Sequence, residues 1–337
     1  MIDARAALAR LTAAESLTRE ETEGLFGSLM DGEISAPLQA ALLVALRMKG
    51  ETAAEICGAA MVMRRRVVAI PHRRERVIDT CGTGGDGRGT FNISTAAALV
   101  AAAAGLAVAK HGNRSVSSRS GSADVLAALG VRIEADAATS ARALDEIGIA
   151  FLFAPLLHPA MREVMPVRRE LGVRTLFNLL GPLTNPAGAR RQLIGVYAAH
   201  LVPVVGRVLA DLGTDHALVV HGADGLDEVT TTAATHVAEV RGDEVRCYDV
   251  EPEALGLTRG RPADLAGGGP EENAARMLRL LAGEPGPLAE VTAANAGAAL
   301  YVGGLAADWA GGVARARAVL AGGAAAAKLE ELRRFLA

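Results

Sequence analysis

An α/β fold is predicted, in which a small all-helical domain precedes a large α/β domain with a mainly parallel central sheet and helices on both faces. Three observations predict it. The first 66 residues read as helix throughout, an arginine-rich stretch with one proline follows, and from Val77 short apolar runs alternate with helical segments. Strands that alternate with helices make parallel sheets covered on both sides. At 337 residues the chain is long enough for one large core plus a smaller domain.

Taken in order, Thr18 with Glu21 and Thr52 with Glu55 have capping-box spacing, so each pair satisfies free amides at a helix start. Between them, "PLQAALLVALRMKG" carries a broad apolar helical stripe and ends on Gly50, a natural C-cap. "VMRRRVVAIPHRRER", 62–76, holds six arginines and a proline and reads as a solvated connector. The expected division is therefore a helical domain over 1–66, a hinge over 67–76 and the α/β domain over 77–337. "RVIDT" is the first strand and "DTCGTGGDGRGTFNIST", 79–95, its loop. A helix over about 93–104 follows, then the strand "LAVAK", the helix "GSADVLAALG" and a further helix within 137–147. "GIAFLFAP", "RQLIGVYA" and "HALVVHG" are three more strands, and a Pro-, Arg- and His-rich segment near 156–181 interrupts the alternation.

Composition excludes several classes. Net charge is −3, from 35 basic and 38 acidic residues, so nothing draws the whole chain to nucleic acid or an anionic membrane. Cys57, Cys81 and Cys247 form no C-x-x-C pair, which argues against a disulfide framework and fits a reducing cytoplasm. The charged N-terminus lacks an apolar signal core. "AAALVAAAAGLAVA", 96–109, falls short of the roughly 20 residues of a bilayer span, and it reads as a buried helix and a buried strand.

Gly82, Gly84 and Gly87 fit G-x-G-x-x-G, the dinucleotide fingerprint, but that reading demands an acid at the end of the next strand. Here the strand ends on Lys110. A Walker loop is excluded because the chain has no Gly-Lys dipeptide. What remains is either a tight turn capped by Asn92 or Ser94, or an anion cradle. The cradle reading uses the loop amides with Thr90, Asn92, Ser94 and Thr95 at a helix start. Asp86 would repel a phosphate there unless a sugar hydroxyl or a metal ion stands between them. The next loop, "KHGNRSVSSRSGSAD", 110–124, starts just after the second strand. It adds Lys110, His111, Arg114 and Arg119 with the hydroxyls of Ser115, Ser117, Ser118 and Ser122. It is either a solvated basic loop or the second half of a polyphosphate clamp.

"GTGGDGRGTFNIST" followed by "VAKHGNRSVSSRSGSADVLAALG" resembles the anthranilate phosphoribosyltransferase family. The similarity continues through "FLFAPLLHPAMREVMPVRRELGVRTLFNLLGPLTNPA", "HGADGLDEVT" and "EENAARMLRLLAGEPGP". The resemblance implies a small helical domain, to which the segment near 156–181 returns, joined to a large α/β domain with the active site between them. It implies Mg²⁺, phosphoribosyl pyrophosphate and anthranilate as cofactor and substrates, and a homodimer through the helical domain. The matching phosphoribosyl-pyrophosphate positions are Gly82, Gly85, Asp86, Thr90, Asn92, Ile93, Ser94 and Thr95. Those of the second loop are Lys110, His111, Gly112, Asn113, Arg114, Ser115, Val116, Ser117, Ser118 and Ser122. Gly82, Asn113, His158 and Arg168 match the anthranilate side, and Ser94, Asp227 and Glu228 the metal ligands. One departure is Ala233 and Ala234, near where many members carry glycine. Two alternatives keep the fold: a pyrimidine nucleoside phosphorylase, and a non-catalytic relative that binds nucleic acid.

Overall fold

The computed structural model describes residues 3–115 and 119–337. Val116, Ser117 and Ser118, expected in the second phosphate loop, lie outside the described residues. Four helices open the chain: α1 (Ala4–Thr12), α2 (Arg19–Met30), α3 (Ala36–Lys49) and α4 (Ala53–Arg66). Both capping boxes form, with the Thr18 and Thr52 hydroxyls accepting from the Glu21 and Glu55 amides and the carboxylates reaching back. Gly50 closes α3 at φ +87°, a conformation that favours glycine.

The sheet contains β1 (Val77–Asp79), β2 (Ala107–Gly112), β3 (Ile149–Phe153), β4 (Arg191–Gly195), β5 (His216–Gly222), β6 (Thr235–Arg241) and β7 (Glu244–Val250). Its order is β3-β2-β1-β4-β5-β6-β7. The first five strands of that order pair in parallel, whereas β6 and β7 are antiparallel. The chain winds outward from β1 to β3, then restarts on the other side of β1 with β4. That reversal opens a crevice at the carboxyl end of β1, where ligands of such sheets bind.

The connecting helices are α5 (Ile93–Ala103), α6 (Ser122–Ala128), α7 (Ala137–Glu146), α8 (Ala154–Leu157), α9 (Met165–Leu171), α10 (Phe177–Leu183) and α11 (Leu201–Asp211). Four more follow the sheet: α12 (Pro270–Leu281), α13 (Pro287–Val302), α14 (Trp309–Ala321) and α15 (Ala324–Leu336). Along β5, Leu218 and Val220 pack with α5 and α12–α15, while Ala217 and Val219 face α11 and the helical bundle. Strict alternation thus buries both faces. Small residues let the helices approach closely. A methyl on Gly297 of α13 would sit 2.5 Å from the Val313 amide nitrogen of α14. The segment after β3 goes back to the bundle, with α9 against α3 and α10 against α4.

Two features differ from the sequence reading. Residues 62–66 are the last turn of α4, with Val62 and Met63 buried. Residues 67–76 are tied to the α/β body, because the Val68 and Ile70 amides donate to the Leu157 and Pro186 carbonyls. The connector is mostly exposed, as expected, but its backbone is strapped down at these two points. The β6–β7 hairpin was not foreseen either, although Gly242-Asp243 between two apolar-alternating runs is a hairpin signal.

A half-buried polar knot fastens this hairpin to α13. Glu239 accepts from the Tyr301 hydroxyl (2.8 Å), the Tyr248 hydroxyl (3.0 Å), His216 Nε2 (2.9 Å) and Arg241 Nε (2.9 Å). Burial opposes ionisation of Glu239, but these hydrogen bonds outweigh it and hold the carboxyl below its ordinary 4.5. A depressed carboxyl pKa adds stability above its unfolded value, and that stability is lost as pH falls through the folded one. Glu239→Gln is therefore expected to cost about 1–3 kcal/mol at pH 7. Paired thermal melts should show the gap to the unsubstituted protein closing at pH values below 4.5.

Candidate active site

The loop after β1 is built against the end of β4. The Thr83 amide donates to the Gly195 carbonyl at 2.8 Å, and the Tyr197 amide donates to Thr83 Oγ1 at 3.1 Å. Gly82 has no room for a side chain, since a Cβ there would lie 3.0 Å from the Gly195 carbonyl oxygen. Gly84, Gly85 and Gly87 all adopt positive φ, at +65°, +79° and +74°. Thr90 pairs with Ala266, which pins the far side of the loop. Asn92 precedes α5 but makes no cap. Its side chain instead donates to the Ser120 carbonyl (3.1 Å) and accepts from Asn273 (2.8 Å), bracing one loop against the other. Ile93 turns its side chain into the core, and the Thr95 hydroxyl is buried with no hydrogen-bond partner among the described residues.

At the start of α5 the Ser94 amide donates to Glu228 Oε1 at 3.2 Å, so a carboxylate occupies the positive end of that helix. Lys110 is buried rather than extended into solvent, its Nζ 3.3 Å from both the Thr80 carbonyl and Ser94 Oγ. The second loop is stapled by Asp124, which accepts from the Ser115 amide (2.9 Å), the Gly121 amide (3.0 Å) and Arg114 (3.3 Å). The Asn113 carbonyl accepts from the Ala123 amide and the Ser122 hydroxyl. Gly112 is required because a Cβ would run into Ser122 and Phe151.

His111 and His158 form one unit. His111 Nδ1 lies 3.0 Å from the Gly181 carbonyl, which only accepts, so this nitrogen carries the proton. Nε2 of His111 then accepts from Nε2 of His158 at 3.1 Å. Burial lowers both pKa values, to about 3 for His111, with His158 adding repulsion, and to about 4 for His158. A neutral ring with both nitrogens engaged is a poor general base.

Asp227 and Glu228 follow the β5 turn, and each keeps some exposed surface. Their partners differ: the Asp227 side chain faces Asp86, while Glu228 faces Ser94 and Lys110. Burial, then the charges of Asp86 and Glu228, raises Asp227 well above the usual carboxylate range. Burial also raises Glu228, with Lys110 and Ser94 opposing. The turn is held by Asn295, whose Oδ1 accepts from the Val229 amide at 3.0 Å. Ala233 and Ala234 fit it without strain. Neither has positive φ, and the Ala234 carbonyl accepts from the Ala223 amide at 2.8 Å.

Arg168 stands apart from these loops on α9. Its guanidinium lies 5.3 Å from the centre of the Phe177 ring, burial lowers its pKa, and no ion pair engages it among the described residues. No hydrogen bond joins it to Gly82, Asn113 or His158 among the described residues. Several residues of the site escaped sequence reading. Asp79 is fully buried and accepts from the His111 amide (3.1 Å) and Asn185 Nδ2 (2.7 Å). Burial raises it to about 6, against Lys110 and those hydrogen bonds. Gly195 is equally required, since a methyl there would overlap the Asp227 carbonyl. Asp79, Cys81 and His111 also crowd within 4.8 Å. Asp79 and His111 are taken up by the bonds above, however, and burial pushes the Cys81 thiol far up, so the trio is hydrogen-bonded core.

Residues 74–326 match the model of the glycosyl transferase family a/b domain, and residues 5–67 that of its helical bundle domain. An anthranilate phosphoribosyltransferase of Anaeromyxobacter sp. (strain K) is 56% identical over 326 residues, 97% of this chain and 96% of its own. The crystal structure of the Thermus thermophilus anthranilate phosphoribosyltransferase superposes with a TM-score of 0.93 at 48% identity, over 98% of this chain and 99% of its own. A Saccharomyces cerevisiae anthranilate phosphoribosyltransferase in complex with PRPP and Mg gives 0.89 at 26% identity, over 99% and 97%. With two loops at a sheet reversal, paired carboxylates beside them and this likeness along its length, the chain belongs to the anthranilate phosphoribosyltransferase family of glycosyl transferases.

Proposed function

We propose that this enzyme transfers the 5-phosphoribosyl group of phosphoribosyl pyrophosphate to the amine of anthranilate and releases pyrophosphate, a step of tryptophan biosynthesis. The observation that carries the reading is the meeting of the β1 loop, the β2 loop and the Asp227–Glu228 turn at the carboxyl end of β1. The first two supply amides, hydroxyls and basic groups for phosphates. The third supplies oxygens for a cation.

Mg²⁺ fits the donor set. Asp86, Asp227, Glu228 and the Ser94 hydroxyl are all hard oxygen donors, and Asp86 and Asp227 repel each other without a cation. Because the two adjacent carboxylates face different partners, they suit two flanks of a metal–pyrophosphate complex rather than one cage. Bound there, Mg²⁺ would neutralise charge on the departing pyrophosphate.

The reaction we infer is a displacement at the anomeric carbon of the ribose. The amine nitrogen forms the new bond as the bond to the pyrophosphate oxygen breaks, with inversion and an oxocarbenium-like transition state. The amine then gives a proton to water. No basic side chain is required, since a neutral aromatic amine is already nucleophilic. Arg168 offers a planar fork for the anthranilate carboxylate, a task in which lysine does less well. Asn113 and the His158–His111 pair would complete the acceptor side. The strap at 67–76 is the hinge we assign between a helical unit, 1–66, and the α/β unit, 77–337. Closure would bring donor and acceptor together and keep water from the activated sugar. A homodimer through the bundle and a cytoplasmic setting complete the reading. Among the described residues no helix is long and apolar enough to cross a membrane.

The deciding experiment follows anthranilate fluorescence with purified protein, Mg²⁺ and phosphoribosyl pyrophosphate, each omitted in turn. Decay that needs all components, with pyrophosphate released in step, supports the reading. Phosphate-dependent cleavage of uridine without anthranilate turnover would replace it by a nucleoside phosphorylase. Arg168→Ala should raise the anthranilate KM by roughly 30-fold, the value of a charged hydrogen-bond pair, with the donor KM unchanged. Equal losses on both substrates would remove Arg168 from the acceptor side. Asp227→Asn with Glu228→Gln should lower kcat about 100-fold or more and flatten the magnesium titration. Relieved of like-charge repulsion, that variant should melt no lower than the unsubstituted protein, which separates lost chemistry from lost fold. Gly195→Ala should reduce kcat about 100-fold by pushing the Asp227 backbone out of place.

A further inference from the structure

The β1 loop is gripped from the same segment that carries Arg168. Arg174 lies in the short link between α9 and α10, and its guanidinium donates to the Gly85 carbonyl. It also stacks on Tyr197, 4.5 Å from the ring centre. Its Nε is 3.4 Å from where a Cβ on Gly85 would stand, so it covers the turn in which Gly85 is held at φ +79°. Tyr197 fixes the other side of that loop through its own amide and Thr83 Oγ1. Arg47 of α3 and Glu51 beyond it stand near enough to the Tyr197 side chain for their charges to act on it. A continuous chain of interactions thus runs from the bundle, through Tyr197 and Arg174, to the middle of the glycine turn.

No carboxylate engages Arg174 in an ion pair among the described residues, so its charge is directed at a backbone carbonyl and an aromatic face. The carbonyl is the one group of the Gly85 peptide unit that would repel a phosphate, and the arginine occupies it. We propose that Arg174 is a positioning residue: it holds the Gly84–Gly85 turn in the shape that receives the donor pyrophosphate and links that shape to the acceptor segment. The link rests on the reading of the loop as the donor cradle. It needs a planar fork and a flat face at once, which lysine lacks.

The test compares the unsubstituted enzyme with Arg174→Ala and Arg174→Lys. Each substrate is varied in steady state, and hydrogen exchange is followed over residues 82–88 without substrates. Both variants should raise the phosphoribosyl pyrophosphate KM by about tenfold or more, as expected for a displaced binding group. The anthranilate KM should stay within about twofold, because only the donor side has lost an interaction. Loop amides should exchange faster at an unchanged melting temperature. An unaltered donor KM, an equal rise for both substrates, or unaltered loop exchange would overturn the proposal. So would lysine restoring wild-type behaviour, because charge alone would then suffice. An unsubstituted enzyme without transferase activity would refute the functional reading, and the exchange comparison would still decide whether Arg174 orders the loop.

Discussion

The carboxylate of Asp79 is the interaction on which the site depends. It sits at the last residue of β1, where the sheet reverses, with no solvent contact. One oxygen takes the His111 amide at the start of the second loop, and the other takes Asn185, whose amide also donates to the Ala109 carbonyl. Asn185 Oδ1 in turn accepts from the Ala187 amide on the way to β4. One buried acid therefore binds three chain segments together beneath the β1 and β2 loops. Lys110 beside it supplies the opposing charge. An ionised carboxylate without such partners would be driven to its neutral form and would let the segments part.

The same constraint explains the neutral histidine pair. Charging either ring would require solvating it, and the ring nitrogens of His111 are already taken by the Gly181 carbonyl and the neighbouring imidazole. The pair offers polar atoms of fixed orientation and no net charge. In the proposed reading Arg168 would contribute the positive charge for the acceptor, while the carboxylates gather around α5 and the β5 turn. On that reading, charge separation rather than a single proton-transferring group would organise the centre.

The five parallel strands and the two capped bundle helices were legible in the sequence because their causes are local: alternation, turn residues and a hydroxyl three positions before a glutamate. The two loops were legible for the same reason, each being a continuous run whose amides and side chains act together. Asp79, Asn185, Gly195 and Arg174 were not. Asp79 and Asn185 meet across 106 positions, and Arg174 reaches Gly85 across 89. The importance of Gly195 arises only because the Asp227 backbone crosses over it. No spacing rule reports such encounters. Lys110 shows the converse, since a basic residue in a polar run reads as an outward clamp, yet the strand pleat turns it inward beneath α5.

The apolar cluster around α11 is not confined to the sheet. It runs without a break from Val205 and Val219 through Leu180 and Leu183 into Ile56, Leu42 and Phe26 of the bundle. Any relative movement of the two parts must therefore keep those surfaces in contact, because parting them would wet a large oily area at about 25 cal/mol per Å². A bend at the 67–76 strap that keeps them in contact must be accompanied by sliding of side chains over one another, as packed layers do. Such a cleft narrows and widens like a vice with a greased slide, and its stroke is set by how far interlocked leucines can travel before they must unlock.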